Sequence, residues 1–130
     1  MLETLKSLLS RGEGHDNLET PVHQDAHFVL HYGDLEVGTL RLNQGRWHFE
    51  YAEGFKQQSK LEPLVDFPSL EKRYESERLW PFFALRIPSL EQPSVKRVIK
   101  AEALDEHNEA QLLERFGKRT IANPFQLEAA

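Results

Sequence analysis

Cysteine is absent from this 130-residue chain, and its absence excludes a disulfide framework, a thiolate nucleophile and any zinc site built on sulfur. Long apolar runs are missing too. The opening Met1-Leu2-Glu3-Thr4-Leu5-Lys6 is already broken by charge, so no stretch qualifies as a membrane span or a signal-peptide core, and a soluble, cytoplasmic protein is expected. Positive charge is in the minority, with 16 Lys and Arg against 21 Asp and Glu and a net charge of -5. That balance gives no electrostatic reason to bind nucleic acid or an anionic membrane, and contact with DNA is expected only through a partner. The sequence also lacks internal repeats and low-complexity segments.

What is present suffices for one compact core. At 39% hydrophobic residues, the chain is too short for two ordinary domains and a linker. Leu2, Leu5, Leu8 and Leu9 recur at helical spacing, which predicts a short amphipathic helix from Leu2 to Arg11, ended by Gly12. Gly12 to Gln24 is polar and rich in breakers and reads as a linker. Residues 1–24 are therefore expected to be helix and linker, and residues 25–130 the domain.

From His27 the period changes to two. Phe28, Leu30 and Tyr32 share one face, Gly33-Asp34 supplies a turn before Leu35 to Leu42, and Asn43-Gln44-Gly45 a second turn before Trp47, Phe49 and Tyr51. This predicts a three-stranded antiparallel meander with an apolar face and a polar one. Leu61 to Leu70 carries two prolines and suits an extended, edge-like segment. Pro81 opens a short helix with Phe82, Phe83 and Leu85. A helical stripe of Val95, Val98, Ile99 and Ala103 follows. Asp105 is then expected to cap a helix with Leu112, Leu113 and Phe116 inside and Gly117 as its stop, and Ile121 to Leu127 to return as a strand. The fold class is α+β: an antiparallel sheet, meander plus edge strands, with C-terminal helices.

Several motifs give way to plainer readings. Gly117-Lys118-Arg119-Thr120 resembles the end of a phosphate loop, but Leu112 stands where that loop needs its first glycine, so a helix C-cap is expected. Asp66-Phe67-Pro68 resembles a kinase Asp-Phe-Gly, without the catalytic and glycine-rich loops a kinase needs. His23, His27 and His31 are spaced by four, but on a strand His27 and His31 join His48 on the polar face, a solvated cluster rather than a metal site. Glu75 and Glu77 flank Ser76 with no base or nucleophile placed beside them. The residues point to a binding module with no catalytic set, no cofactor and no metal.

The most informative stretch is Tyr74-Glu75-Ser76-Glu77-Arg78-Leu79-Trp80-Pro81-Phe82-Phe83, dense in aromatic surface behind a charged lead-in. Together with Val37-Gly38-Thr39-Leu40, Phe49-Glu50-Tyr51 and Pro68-Ser69-Leu70, it resembles the N-terminal subdomain of HipA-type kinases over most of Ala26 to Leu127. The sequence departs from that pattern at Leu85-Arg86-Ile87-Pro88-Ser89, which keeps the family's proline and loses its Glu-Gly. The chain ends at Ala130, where the family's kinase core would begin, so the resemblance implies a stand-alone, HipS-like small subunit of a HipBST-type toxin-antitoxin system.

The resemblance implies two partners: a separate HipT-like kinase, restrained by this chain as antitoxin, and a HipB-like helix-turn-helix protein that binds the operator. Buried Trp is the usual centre of such contacts, so Trp80 is the expected anchor with Tyr74, Ser76, Glu77 and Arg78 around it, while Phe83 belongs to the core. Two other readings stay open. One is an accessory scaffold joining kinase and repressor without inhibition; the other is a small protein binding a metal or ligand through its histidine face.

Overall fold

The computed structural model describes Leu18 to Ala130; the expected helix from Leu2 to Arg11 and the first half of the linker lie outside the described residues. Strands β1 (Ala26–Tyr32), β2 (Leu35–Asn43) and β3 (Arg46–Tyr51) form the meander, joined by β4 (Tyr74–Ser76) and β5 (Gln126–Ala129) in the order β4-β3-β2-β1-β5. Every neighbouring pair is antiparallel. Four helices are described: α1 (Glu53–Gln57), α2 (Pro81–Ala84), α3 (Pro93–Ala101) and α4 (Glu109–Phe116). The protein is α+β.

Alternation decides which face is covered. Phe28, Leu30, Leu40, Leu42, Trp47, Phe49 and Tyr51 are buried and form one cluster with Phe55 of α1, Phe83 of α2, Val95 and Ile99 of α3, and Leu112 and Leu113 of α4. On the opposite face the ladder sets His27 against Arg41, Arg41 against His48, and His48 against Glu75. Gln44 and Gly45, with φ of 51° and 76°, make the β2–β3 turn of the primed kind whose twist matches that of the strands. The glycine of Val37-Gly38 is required by packing. A Cβ there would sit 2.7 Å from Phe49 Cζ and 2.6 Å from the Glu50 carbonyl oxygen.

The segment Leu61 to Leu70 forms no strand. It crosses the core as a loop, with Leu64 and Phe67 buried, held by one hydroxyl. Tyr51 Oη accepts from the Leu64 N–H at 2.8 Å and donates to the Phe67 carbonyl at 2.6 Å. Burial pushes this phenol up to about 12, against a smaller opposing effect of the Leu64 N–H.

The C-terminal third keeps its helices but shifts their ends. Val95 and Ile99 of α3 are buried and Val98 half-buried, whereas Ala103 lies beyond the helix and is exposed. Its φ is 53°; the Leu104 N–H reaches Ile99 O and the Ala103 N–H reaches Lys100 O, the paired bonds of a Schellman cap. The cap of α4 is Asn108, whose side chain accepts from the Gln111 N–H at 3.0 Å, and not Asp105. Asp105 sits three residues too early and instead accepts from the His107 N–H. The returning strand is β5, later than Ile121 to Leu127; Ile121 is fully exposed beside the bridge of Thr120 with Asn123.

The described part of the expected linker is tied to the domain. Leu18 is buried, and the Glu19 backbone bonds both the His107 carbonyl and the Glu109 N–H. Thr20 Oγ1 donates to the buried Glu109 carboxylate and accepts from Trp47 Nε1, so β3, α4 and this segment meet at one hydroxyl.

Tyr51→Phe leaves two buried backbone groups unpaired and lowers stability by about 2 kcal/mol or more in urea titrations. Because the folded phenol holds its proton more tightly than the unfolded one, this stability is present below pH 10 and fades as pH climbs towards about 12. The gap between wild type and Tyr51→Phe is expected to narrow across that window. Ala103→Gly relieves an L residue of left-handed backbone and is expected to stabilise by about 0.5–1 kcal/mol, read as a rise in Tm.

Candidate functional site

Phe67 is the base on which the site is built. It stacks on Phe49 with ring centroids 4.1 Å apart, and it receives Tyr74 and Trp80 edge-on, each at 4.9 Å. Tyr74 opens β4 and is fixed at its far end as well, its hydroxyl accepting from the Ser69 N–H at 2.8 Å and donating to the Ser69 carbonyl. Trp80 is the N-cap residue of α2, in extended conformation, and its carbonyl accepts from the N–H groups of Phe83 and Ala84. Both side chains are half-buried. They form an aromatic ledge whose inner edges are held and whose outer edges face solvent.

Of the five residues singled out in the sequence, Tyr74 and Trp80 meet through Phe67, while the polar three arrange themselves otherwise. Ser76 Oγ accepts from the Arg78 N–H at 3.0 Å, closing the turn after β4. Glu77 is drawn to β3, where Arg46 pairs with both Glu77 and Glu75. Arg78 is exposed, and Leu79 beside it is buried, pinning the segment ahead of Trp80. Phe83 lies in the core.

Sequence reasoning missed two residues that set the ledge in place. Asp66, first met in a kinase-like triplet, accepts from the Phe82 N–H at 2.9 Å and thereby caps α2 from another loop, which no local capping pattern reveals. Arg86 is 3% exposed and has no carboxylate partner among the described residues. Its guanidinium donates to the carbonyls of Gly117, Lys118 and Phe125 and to Asn123 Oδ1 at 2.9–3.3 Å and lies over the Phe82 ring. Burial lowers its pKa to about 10. The Gly117 carbonyl belongs to the negative end of α4, which favours a cation there. A lone charge between Leu85 and Ile87 was visible in the sequence; its carbonyl partners were not.

The remaining sequence candidates occupy other places. Gly117 ends α4, with its N–H on Leu113 O at 2.7 Å. Among the described residues no group of three or more His, Asp or Glu side chains is arranged to hold a metal ion, and no helix is long and apolar enough to cross a membrane. The cleft nearest the ledge, about 350 Å3, opens on the polar sheet face between Arg41, His48, Glu50, Arg73, Tyr74 and Glu75. Arg86→Lys retains the charge but not the fork of donors that serves the Gly117 and Phe125 carbonyls and Asn123 together; a loss of about 2–3 kcal/mol is expected in denaturant titration.

No curated protein matches the chain. Residues 29–122 match the HipA N-terminal domain, a domain distinct from the kinase domain of such proteins. That match takes in Val37-Gly38, Phe67, Tyr74, Trp80 and Arg86, so the glycine under Phe49, the aromatic ledge and the buried guanidinium all fall within a chain that belongs to the HipA N-terminal domain family.

Proposed function

We propose that this chain is a non-catalytic component of a toxin-antitoxin system that binds a separate HipA-like Ser/Thr kinase and restrains it. The observation that carries the proposal is the half-buried Trp80 seated edge-on against Phe67. A Trp held in place before contact loses little side-chain freedom on binding, and buried Trp is the commonest energetic centre of protein interfaces. Tyr74 extends the same ledge, with Ser76, Glu77 and Arg78 as the polar margin beyond it. A wedge of this kind restrains a kinase by occupying its nucleotide or substrate cleft. In this arrangement operator binding belongs to a HipB-like helix-turn-helix partner, in keeping with a net charge of -5 on this chain.

The test is phosphorylation by the kinase recovered with this chain, measured with and without added chain. Inhibition by wild type is expected, and Trp80→Ala should relieve it by about tenfold or more, the scale of an interface hot spot. Trp80→Ala retaining both its fold, by circular dichroism, and full inhibition removes Trp80 as anchor. A complex whose kinase activity is unchanged by wild type makes the chain a scaffold instead.

A further inference from the structure

The end of α3 adopts a backbone that glycine would enter freely, yet the residue there is Ala103, at φ 53°. The cap turns Leu104 back against Ile99 through the Leu104 N–H to Ile99 O bond. A groove of about 560 Å3 results, lined by Leu90, Lys96, Ile99, Lys100, Ala103 and Leu104, with Glu106 at one end. Its floor is apolar, from the half-buried Leu90 and Leu104 and the buried Ile99. Its rim is basic. Lys96 stands 3.5 Å from Glu91 in an exposed pair, the kind worth little, and Lys100 has no ion pair among the described residues. Arg97 adds a third cation to the same helix. None of these residues belongs to the Trp80 ledge.

Apolar floor and basic rim together select the occupant. We propose that this groove docks an acidic amphipathic helix of a partner protein. Apolar side chains one turn apart on that helix would enter between Leu90, Ile99 and Leu104, and flanking carboxylates would meet Lys96 and Lys100. The backbone strain at Ala103 agrees with this assignment, because glycine would relax the turn but strip a methyl group from the groove wall.

The test titrates the full chain with two synthetic amphipathic peptides. Both carry leucines at i, i+3, i+4 and i+7; one has glutamates at the flanking positions and the other lysines. Amide chemical shifts are followed throughout. The acidic peptide is expected to bind saturably, moving Lys100 and Leu104, and the basic one to bind more weakly. Lys96→Glu combined with Lys100→Glu, two exposed changes that spare the core, should weaken the acidic peptide by about tenfold. Absence of saturable shifts at α3, equal affinity for the two peptides, wild-type affinity in the double variant, or shifts confined to Tyr74 and Trp80 would each overturn the proposal.

Discussion

The stacking of Phe67 on Phe49 is the contact that most of the molecule is arranged around. Phe49 projects from the third strand of the meander, and it has room to do so only because Gly38 on the neighbouring middle strand carries no side chain. Phe67 arrives from a loop with no regular structure, fixed by a Tyr51 hydroxyl that serves the backbone on both sides of it. A five-stranded sheet with one apolar face needs a cover, and helices of four and five residues cover little by themselves. The loop supplies what those helices lack. Trp80, Tyr74 and Phe83 then gather about Phe67, so the exposed ledge is an outgrowth of the core rather than an addition to it.

The far side of α2 is secured by different chemistry. Arg86 binds the end of α4 and the approach to β5 through backbone carbonyls, and Asp66 holds the start of α2. The four-residue helix under Trp80 is thus clamped at both ends, by the half-buried Asp66 and the buried Arg86. Rigidity at the ledge follows from those clamps, and a rigid ledge loses little freedom when a partner covers it.

Period-two alternation made the meander legible: Phe28, Leu30, Trp47, Phe49 and Tyr51 fall where the pattern puts them, and glycine and proline marked the turns and the start of α2. The aromatic stretch around Trp80 also drew attention to the right segment. What stayed hidden depends on distant partners. Asp105 and Asn108 are both good caps by composition, and the later one is accompanied by distant contacts, Glu19 docked beside His107 and Glu109 and Gln24 bound to the Asn108 amide. The loop carrying Phe67 has no period to read, because its conformation is set by Tyr51. Arg86 accepts its burial for the sake of carbonyl oxygens, which every residue possesses and which therefore leave no mark in a sequence.

The order of strands in the sheet also has a temporal side. β1, β2 and β3 are joined by tight turns and can zip together from local contacts, whereas β5 must return across nearly the whole domain to set Ala129 beside Phe28. Contacts so distant in sequence form late, after the closure of the intervening chain has been made worthwhile by other interactions. Until then the outer edge of β1 has unpaired backbone groups next to Phe28 and Leu30, the arrangement by which strands of separate molecules find each other. The Arg86 clamp holds the segment leading into β5, so the residue that steadies the ledge also secures the strand that finally covers this edge.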